Sequence, residues 1–327
     1  MKIKNNHPSP QFARESIVLL NGEWEFNYEK RKSKVRFSKD YTLAKRLLKE
    51  NSFPYKINVP FCPESELSGI GFTGFISRVM YRKAVNIKKN GNRVFLNIGA
   101  ADYLTTVLVN GIPCGRHKGG YTPISLEITD AVKDGENEIF ILCEDDVKNS
   151  LICRGKQSEE LLSHGCDYTR TTGIWQDVYI EYKPQNYIKS IKLYPDPDNG
   201  ILTVFAQLEG SGNLCAEAFY NEKAVGKESL NSTNGTAVLQ LKLDEIHLWE
   251  LGNGRLYDLK LTFGDDAVYS YFGLRSVKLE NMKFFLNNKS VFMRLVLDQG
   301  FYPKGIYTPE NDEERLADIR LSMQLGF

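Results

Sequence analysis

The chain has 327 residues, 42% apolar and 25% charged, with 42 Lys and Arg against 41 Asp and Glu for a net charge of +1. Such a length exceeds one ordinary sandwich and implies two or three domains, each with its own core, while the balanced charge gives no ground for a nucleic-acid or acidic-membrane partner and suits a neutral substrate. No apolar run approaches the roughly 20 residues that span a bilayer, and the opening MKIKNNHPSPQFARES lacks the apolar stretch of a signal peptide, so the expected compartment is cytoplasmic. The six cysteines, Cys62, Cys114, Cys143, Cys153, Cys166 and Cys215, form no CxxC pair and no ligand rhythm with the four histidines. Reduced thiols are expected, and no metal or cofactor.

Residues 19–26, LLNGEWEF, read as an opening strand. The basic and then amphipathic piece KRKSKVRFSKDYTLAKRLLKE follows, with Leu43, Leu47 and Leu48 on one side of a short helix; a solvated surface insertion is the expectation. INVPFCPESELSGIGFTGF is rich in Pro, Gly and Ser and reads as a long loop, after which VMYRKAVNI restarts a strand, with Tyr81 and Arg82 as structural residues. Val94, Leu96 and Ile98 alternate, and Val107 and Val109 lead into Asn110-Gly111, the dipeptide suited to a type I′ hairpin. Gly119-Gly120 break the return strand, Ile124, Leu126 and Ile128 alternate again, and Asp134-Gly135 turn the chain into EIFILCEDD. Short strands at intervals of roughly ten residues predict an antiparallel sandwich. His117 is read as a loop histidine, having no nucleophile or acidic partner near it in sequence.

Residues 144–168 are polar and aperiodic, the character of a loop with a function. Beyond Gly173 the residues Ile174, Val178 and Ile180 alternate with polar ones as in a half-buried strand, and Lys183-Pro184-Gln185 close the first domain. Six to seven strands then follow within about ninety residues, turned at Asn199-Gly200, Asn234-Gly235 and Gly264-Asp265, which suits an immunoglobulin-like sandwich. Trp249 is expected as a core or interdomain anchor. The last stretch reads as a hairpin at Asn287-Asn288, one buried strand, a loop and a helix opened by Thr308-Pro309 or by the capping pair Asn311 and Glu314.

The run TRTTGIWQDVYIE, residues 169–181, closely resembles the signature that ends the sugar-binding domain of family 2 glycoside hydrolases, which include β-galactosidases, β-glucuronidases and β-mannosidases. LLNGEWEF, HKGGYTP, LWELGNGRLYDLKL and YFGLRSVKLE also resemble family segments, although prolines common in the third are replaced by Gly252 and Gly254. The resemblance implies a mainly β chain: a jelly-roll-like sandwich over 1–183, an immunoglobulin-like sandwich over 184–277, and over 278–327 the truncated first β/α unit of a TIM barrel. It also implies that an aspartate near the start of the 144–168 crossover, Asp145 or Asp146, contacts the sugar; a carboxylate can accept directed hydrogen bonds from adjacent hydroxyls. Asp298 and Gln299 end the barrel strand, where they are implied to face the substrate pocket; more widespread members read Asn-Arg-His-Glu where this chain has Leu297-Asp298-Gln299-Gly300.

Retaining hydrolysis needs two carboxyl groups about 5 Å apart, and in this family both are glutamates on later barrel strands. No residue here matches either, and Glu310, Glu313 and Glu314 suit the first turns of a surface helix. The expected function is therefore that of the non-catalytic N-terminal part of a β-glycosidase, inactive alone, whose partners are a β-linked carbohydrate, the missing catalytic barrel and a possible second copy, without nucleic acid or membrane. The alternative is a stand-alone carbohydrate-binding module.

Overall fold

The computed structural model describes residues 7–327. The chain is mainly β, folded into two compact units: Ile17–Tyr182 with Val296–Phe327, and residues 7–16 with Lys183–Leu295. Among the described residues no helix is long and apolar enough to cross a membrane.

The first unit contains β1 (Ile17–Leu19), β2 (Gly22–Lys30), α1 (Thr42–Glu50), β3 (Tyr55–Val59), β4 (Ile76–Ile87), β5 (Arg93–Ile98), β6 (Ala101–Asp102), β7 (Leu104–Val109), β8 (Ile112–Lys118), β9 (Ile124–Glu127), β10 (Gly135–Glu144), β11 (Gly173–Ile174) and β12 (Val178–Lys183). One sheet runs β3-β2-β4-β10-β7-β8 and a second β1-β12-β5-β9, with β6 and β11 as a two-stranded piece. Because side chains alternate along a strand, Trp24, Phe26, Val79, Tyr81, Ile139 and Ile141 share one core with Val94, Leu96, Val178 and Ile180. Met80, Leu108, Phe140 and Leu142 point to the other face, where Ala44 and Leu47 of α1 cover them. The expectation of a solvated insertion at 30–50 is corrected there: the apolar side of the helix closes a second, smaller core. Asn110 and Gly111 both have positive φ, 52° and 76°, as a type I′ turn requires. Gly173 has φ +75°, and a Cβ there would stand 2.4 Å from Tyr81 Oη; the Ile174 amide donates to that same oxygen at 3.1 Å. The signature thus requires a glycine because its backbone lies against a buried tyrosine.

Residues 296–327 lie against this unit through Ser65 Oγ, which donates to the Lys304 carbonyl at 2.7 Å, and through Thr308 Oγ1, which donates to the Trp175 carbonyl. Helix α2 (Asp312–Gln324) starts behind Asn311, whose side chain accepts from the Glu314 amide, and none of its residues is buried.

The second unit contains β13 (Tyr187–Asp196), β14 (Ile201–Glu209), β15 (Gly212–Tyr220), β16 (Lys223–Ser232), β17 (Gly235–Lys242), β18 (Tyr257–Phe263) and β19 (Asp266–Phe272). Sheets β13-β14-β17 and β16-β15-β18-β19 enclose a core that includes Leu202, Val204, Leu214, Leu239, Leu259, Phe263 and Val268. Ahead of these strands in sequence, Ala13 bridges Tyr269, and the buried Arg14 donates to both oxygens of Asp266, each at 2.8 Å, and to the Ile188 carbonyl at 2.6 Å. Trp249 is half-buried, with the Arg275 guanidinium 4.7 Å over its ring and its carbonyl accepting from Asn287. A three-stranded sheet, β20 (Val277–Glu280), β21 (Lys283–Leu286) and β22 (Lys289–Val291), completes the unit. The expected buried strand over VFMRLVLD is not formed: residues 292–299 have no regular structure and are exposed, because no described neighbour supplies a ladder on either side. Among the described residues there is no closed barrel.

Candidate functional site

The first unit gathers three buried carboxyl groups. Asp102 ends β6, Asp145 follows β10, and Glu64 lies in the Pro-rich loop after β3; each is about 2–3% exposed. Asp102 Oδ2 accepts from Gln157 Nε2 at 2.6 Å, whereas its Oδ1 is buried with no hydrogen-bond partner among the described residues. Glu64 accepts from Thr172 twice, at its hydroxyl (2.6 Å) and its amide (3.1 Å). Burial pushes the Asp102 and Glu64 carboxyls up to about 7. Asp145 is raised as well, first by burial and then by the negative charge of Asp102, with Glu64 adding to it. A carboxyl group that keeps its proton near neutrality both donates and accepts, so this cluster can answer the paired donor and acceptor character of vicinal hydroxyls.

Aromatic rings border the cluster. The Trp175 and Tyr307 ring centroids are 5.2 Å apart, Tyr121 stands 5.9 Å from Trp175, and Tyr168 lies 4.7 Å from Phe301. Trp175 Nε1 donates to the Gly120 carbonyl at 2.9 Å. Gly120 in turn leaves room for the acid, since a Cβ there would approach the Asp102 carboxyl to 2.5 Å. The 144–168 crossover supplies Gln157, whose Oε1 accepts from the Thr171 amide at 2.8 Å. It is held by Arg170, which is 2% exposed, lies 4.6 Å over Phe75 and donates to the carbonyls of Thr73, Glu160 and Leu161.

The four residues singled out in the sequence fall differently around this cluster. Asp146 is occupied: Arg31 Nε donates to it at 2.6 Å and the Val35 amide at 3.0 Å. Asp145 faces Asp102 and Glu64 electrostatically. Asp298 is exposed and accepts from the Gly300 amide at 2.7 Å. Gln299, also exposed, accepts from Lys156 Nζ at 2.8 Å, one residue before the glutamine that holds Asp102. His117 Nε2 lies 3.0 Å from Thr122 Oγ1. Asp102, Glu64, Gln157 and the aromatic border were not singled out in the sequence; the one signal available was Gly119-Gly120, a backbone kept bare beside an acid. Glu159, His164 and Asp167 bring three possible metal donors within 4.8 Å of one another, but the Arg154 guanidinium already supplies positive charge there, 2.6 Å from Glu159 and 3.8 Å from Asp167.

No family model matches the chain. It is 26% identical over 368 aligned positions to a β-galactosidase of Leuconostoc mesenteroides, covering 98% of this chain and 33% of that protein. A β-glucuronidase of Streptococcus agalactiae is 24% identical over 77% of this chain and 44% of its own length. Among solved structures, a β-glucuronidase from an uncultured Clostridium superposes with a TM-score of 0.70 at 18% identity, over 94% of this chain and 53% of that one. The β-D-glucuronidase of Dictyoglomus thermophilum gives 0.71 at 22%, over 96% and 53%. The chain thus spans about a third of the length of the curated β-galactosidases it matches and about half that of the solved β-glucuronidases. Its likeness, structural and weakly sequential, is to the N-terminal portion of family 2 β-glucuronidases and β-galactosidases.

Proposed function

We propose that this chain is the sugar-contacting and supporting N-terminal part of a retaining family 2 β-glycosidase acting on a β-linked galactoside or glucuronide. The observation that carries the reading is the cluster of Asp102, Asp145 and Glu64, three buried carboxyl groups beneath an aromatic border in the first unit. Asp145 is the sugar contact in this reading, since Asp146 is committed to Arg31 and Val35. Asp298 and Gln299 are secondary contacts, favoured by the link from Gln299 to Lys156 in the crossover. Along the chain the family resemblance divides this part into domains 1–183, 184–277 and 278–327, with residues 7–16 and 278–295 folding into the compact unit of the middle one. Six free cysteines, two of them exposed, favour a reducing, cytoplasmic setting.

Hydrolysis of nitrophenyl β-galactoside, β-glucuronide, β-mannoside and β-glucoside by the chain and by a longer form carrying the barrel tests the reading. Activity is expected in the longer form alone. In that form Asp145→Asn is expected to raise KM at least tenfold, with Asp146→Asn acting on stability instead. Turnover by the chain itself would overturn the assignment.

A second reading, a self-sufficient carbohydrate-binding module, draws on the acids and the aromatic border lying within one unit. Calorimetric binding of a simple sugar tighter than about 1 mM, with no gain from the longer form, would favour it.

A further inference from the structure

Residues 30–36 carry five cations in seven positions; Lys30 lies 4.7 Å over the Phe72 ring, and the structure sorts the other four into two groups. Arg31 turns inward onto Asp146, the Val35 amide joins it there and the Val35 side chain is buried. Farther along, Ser38 donates from its amide and hydroxyl to Glu144, the Phe37 ring lies 5.8 Å from Tyr103, and Arg116 donates to the Ser38 and Lys39 carbonyls, both at 2.6 Å. A stretch without regular secondary structure is thereby fastened at both ends. Lys32, Lys34 and Arg36 are the exceptions: all three are exposed, and among the described residues none of their side chains makes an ion pair or hydrogen bond. Taken two residues apart on an extended backbone, they would be spaced about 6–7 Å and share a side.

These cations edge a groove of about 1400 Å³ whose other wall includes Tyr28, Tyr55 and Arg78. Tyr28 and Tyr55 stand 5.5 Å apart, and Tyr55 is 44% exposed. Arg78 is neutralised by Glu29 and Glu144, so the uncompensated charge belongs to the pinned loop. We propose that this groove binds an acidic oligosaccharide, with carboxylate or sulfate groups on Lys32, Lys34 and Arg36 and a sugar face against Tyr55. The charge complementarity stands on the groove alone; the choice of a sugar rests on the carbohydrate reading above, together with a net charge of only +1, which suits a nucleic acid poorly. Three cations in a row call for a chain bearing several anions.

The test is calorimetric titration of the intact protein with an oligogalacturonate, a sulfated oligosaccharide of similar length, a neutral cello-oligosaccharide and a single-stranded oligonucleotide, each at two salt concentrations. An acidic oligosaccharide is expected to bind, more weakly at high salt. Replacing Lys32, Lys34 and Arg36 together by Ser is expected to weaken it at least tenfold without moving the thermal midpoint, and Tyr55→Ala severalfold. Which acidic probe binds tighter identifies the anion. Unchanged affinity in the triple variant, equal binding of the neutral sugar, or oligonucleotide binding that is tighter and insensitive to Tyr55→Ala would each overturn the proposal. Asp145→Asn separates the two sites: loss of acidic-sugar binding there, with the triple variant unaffected, rejects the groove and leaves the carboxyl cluster standing. Failure of the longer form on every nitrophenyl glycoside rejects the glycosidase reading without touching the groove.

Discussion

A single carboxyl group shows how burial becomes a measurable property. Asp102 and Glu64 have native pKa values near 7, well above those of an unfolded chain, so between about pH 4 and 7 the folded protein binds more protons than the unfolded one. Stability therefore falls as pH rises through that window and stays lower above it. Urea midpoints measured from pH 5 to 8 should decline, and Asp102→Asn or Glu64→Gln should flatten the decline. A profile that stays steep in both variants would contradict the assignment. The same residues show what a sequence conceals. Asp102 follows Ala100-Ala101 and looks like one polar residue at a strand end; its burial comes from Gln157 and Gly120, 55 and 18 positions away, and no local pattern encodes that meeting.

At the scale of the element, periodicity was legible wherever both neighbours of a strand lie in this chain. The Asn110-Gly111, Asn199-Gly200 and Asn234-Gly235 turns fall between the strands they were expected to join, because the glycine of each, and at 110 the asparagine too, takes the positive φ that the turn needs. The apolar stretch after Val291 is the counterexample: it has the composition of a strand, but strand formation needs pairing partners, and here Phe292, Leu295 and Leu297 stay 71–87% exposed. Helix α1 falls between these cases. Its leucines were read correctly as one side, yet what they cover, the outer face of the β4 and β10 sheet, is set by long-range pairing. Leu47→Ala is expected to cost about 2–3 kcal/mol through the cavity it leaves, whereas Lys45→Ala, on the exposed side, should stay within about 0.5 kcal/mol. Denaturant unfolding of the two variants checks the difference; equal costs would mean that α1 does not close a core.

For the whole molecule, exposed apolar side chains at Phe292, Leu295, Val296 and Leu297 predict concentration-dependent association. Light scattering after size exclusion should show a mass that rises with loading, and Leu295→Glu with Leu297→Glu should reduce it. A monomer at high concentration in the parent chain would contradict this.

The clamp of Arg14 on Asp266 also sets an order in time. The two residues are 252 positions apart, so at about 5–20 residues per second the arginine waits roughly 10–50 seconds on the ribosome before its acceptor is made. Strands β13 to β17 can pair during that interval, but Asp266, once made, takes its buried counter-charge from a residue synthesised 252 positions earlier. A chain released without residues 1–16 should therefore show early protease cleavage near β13 and β19, rescued by supplying the missing segment as a peptide; equal resistance of the full and shortened chains would show that the sandwich finishes folding without it.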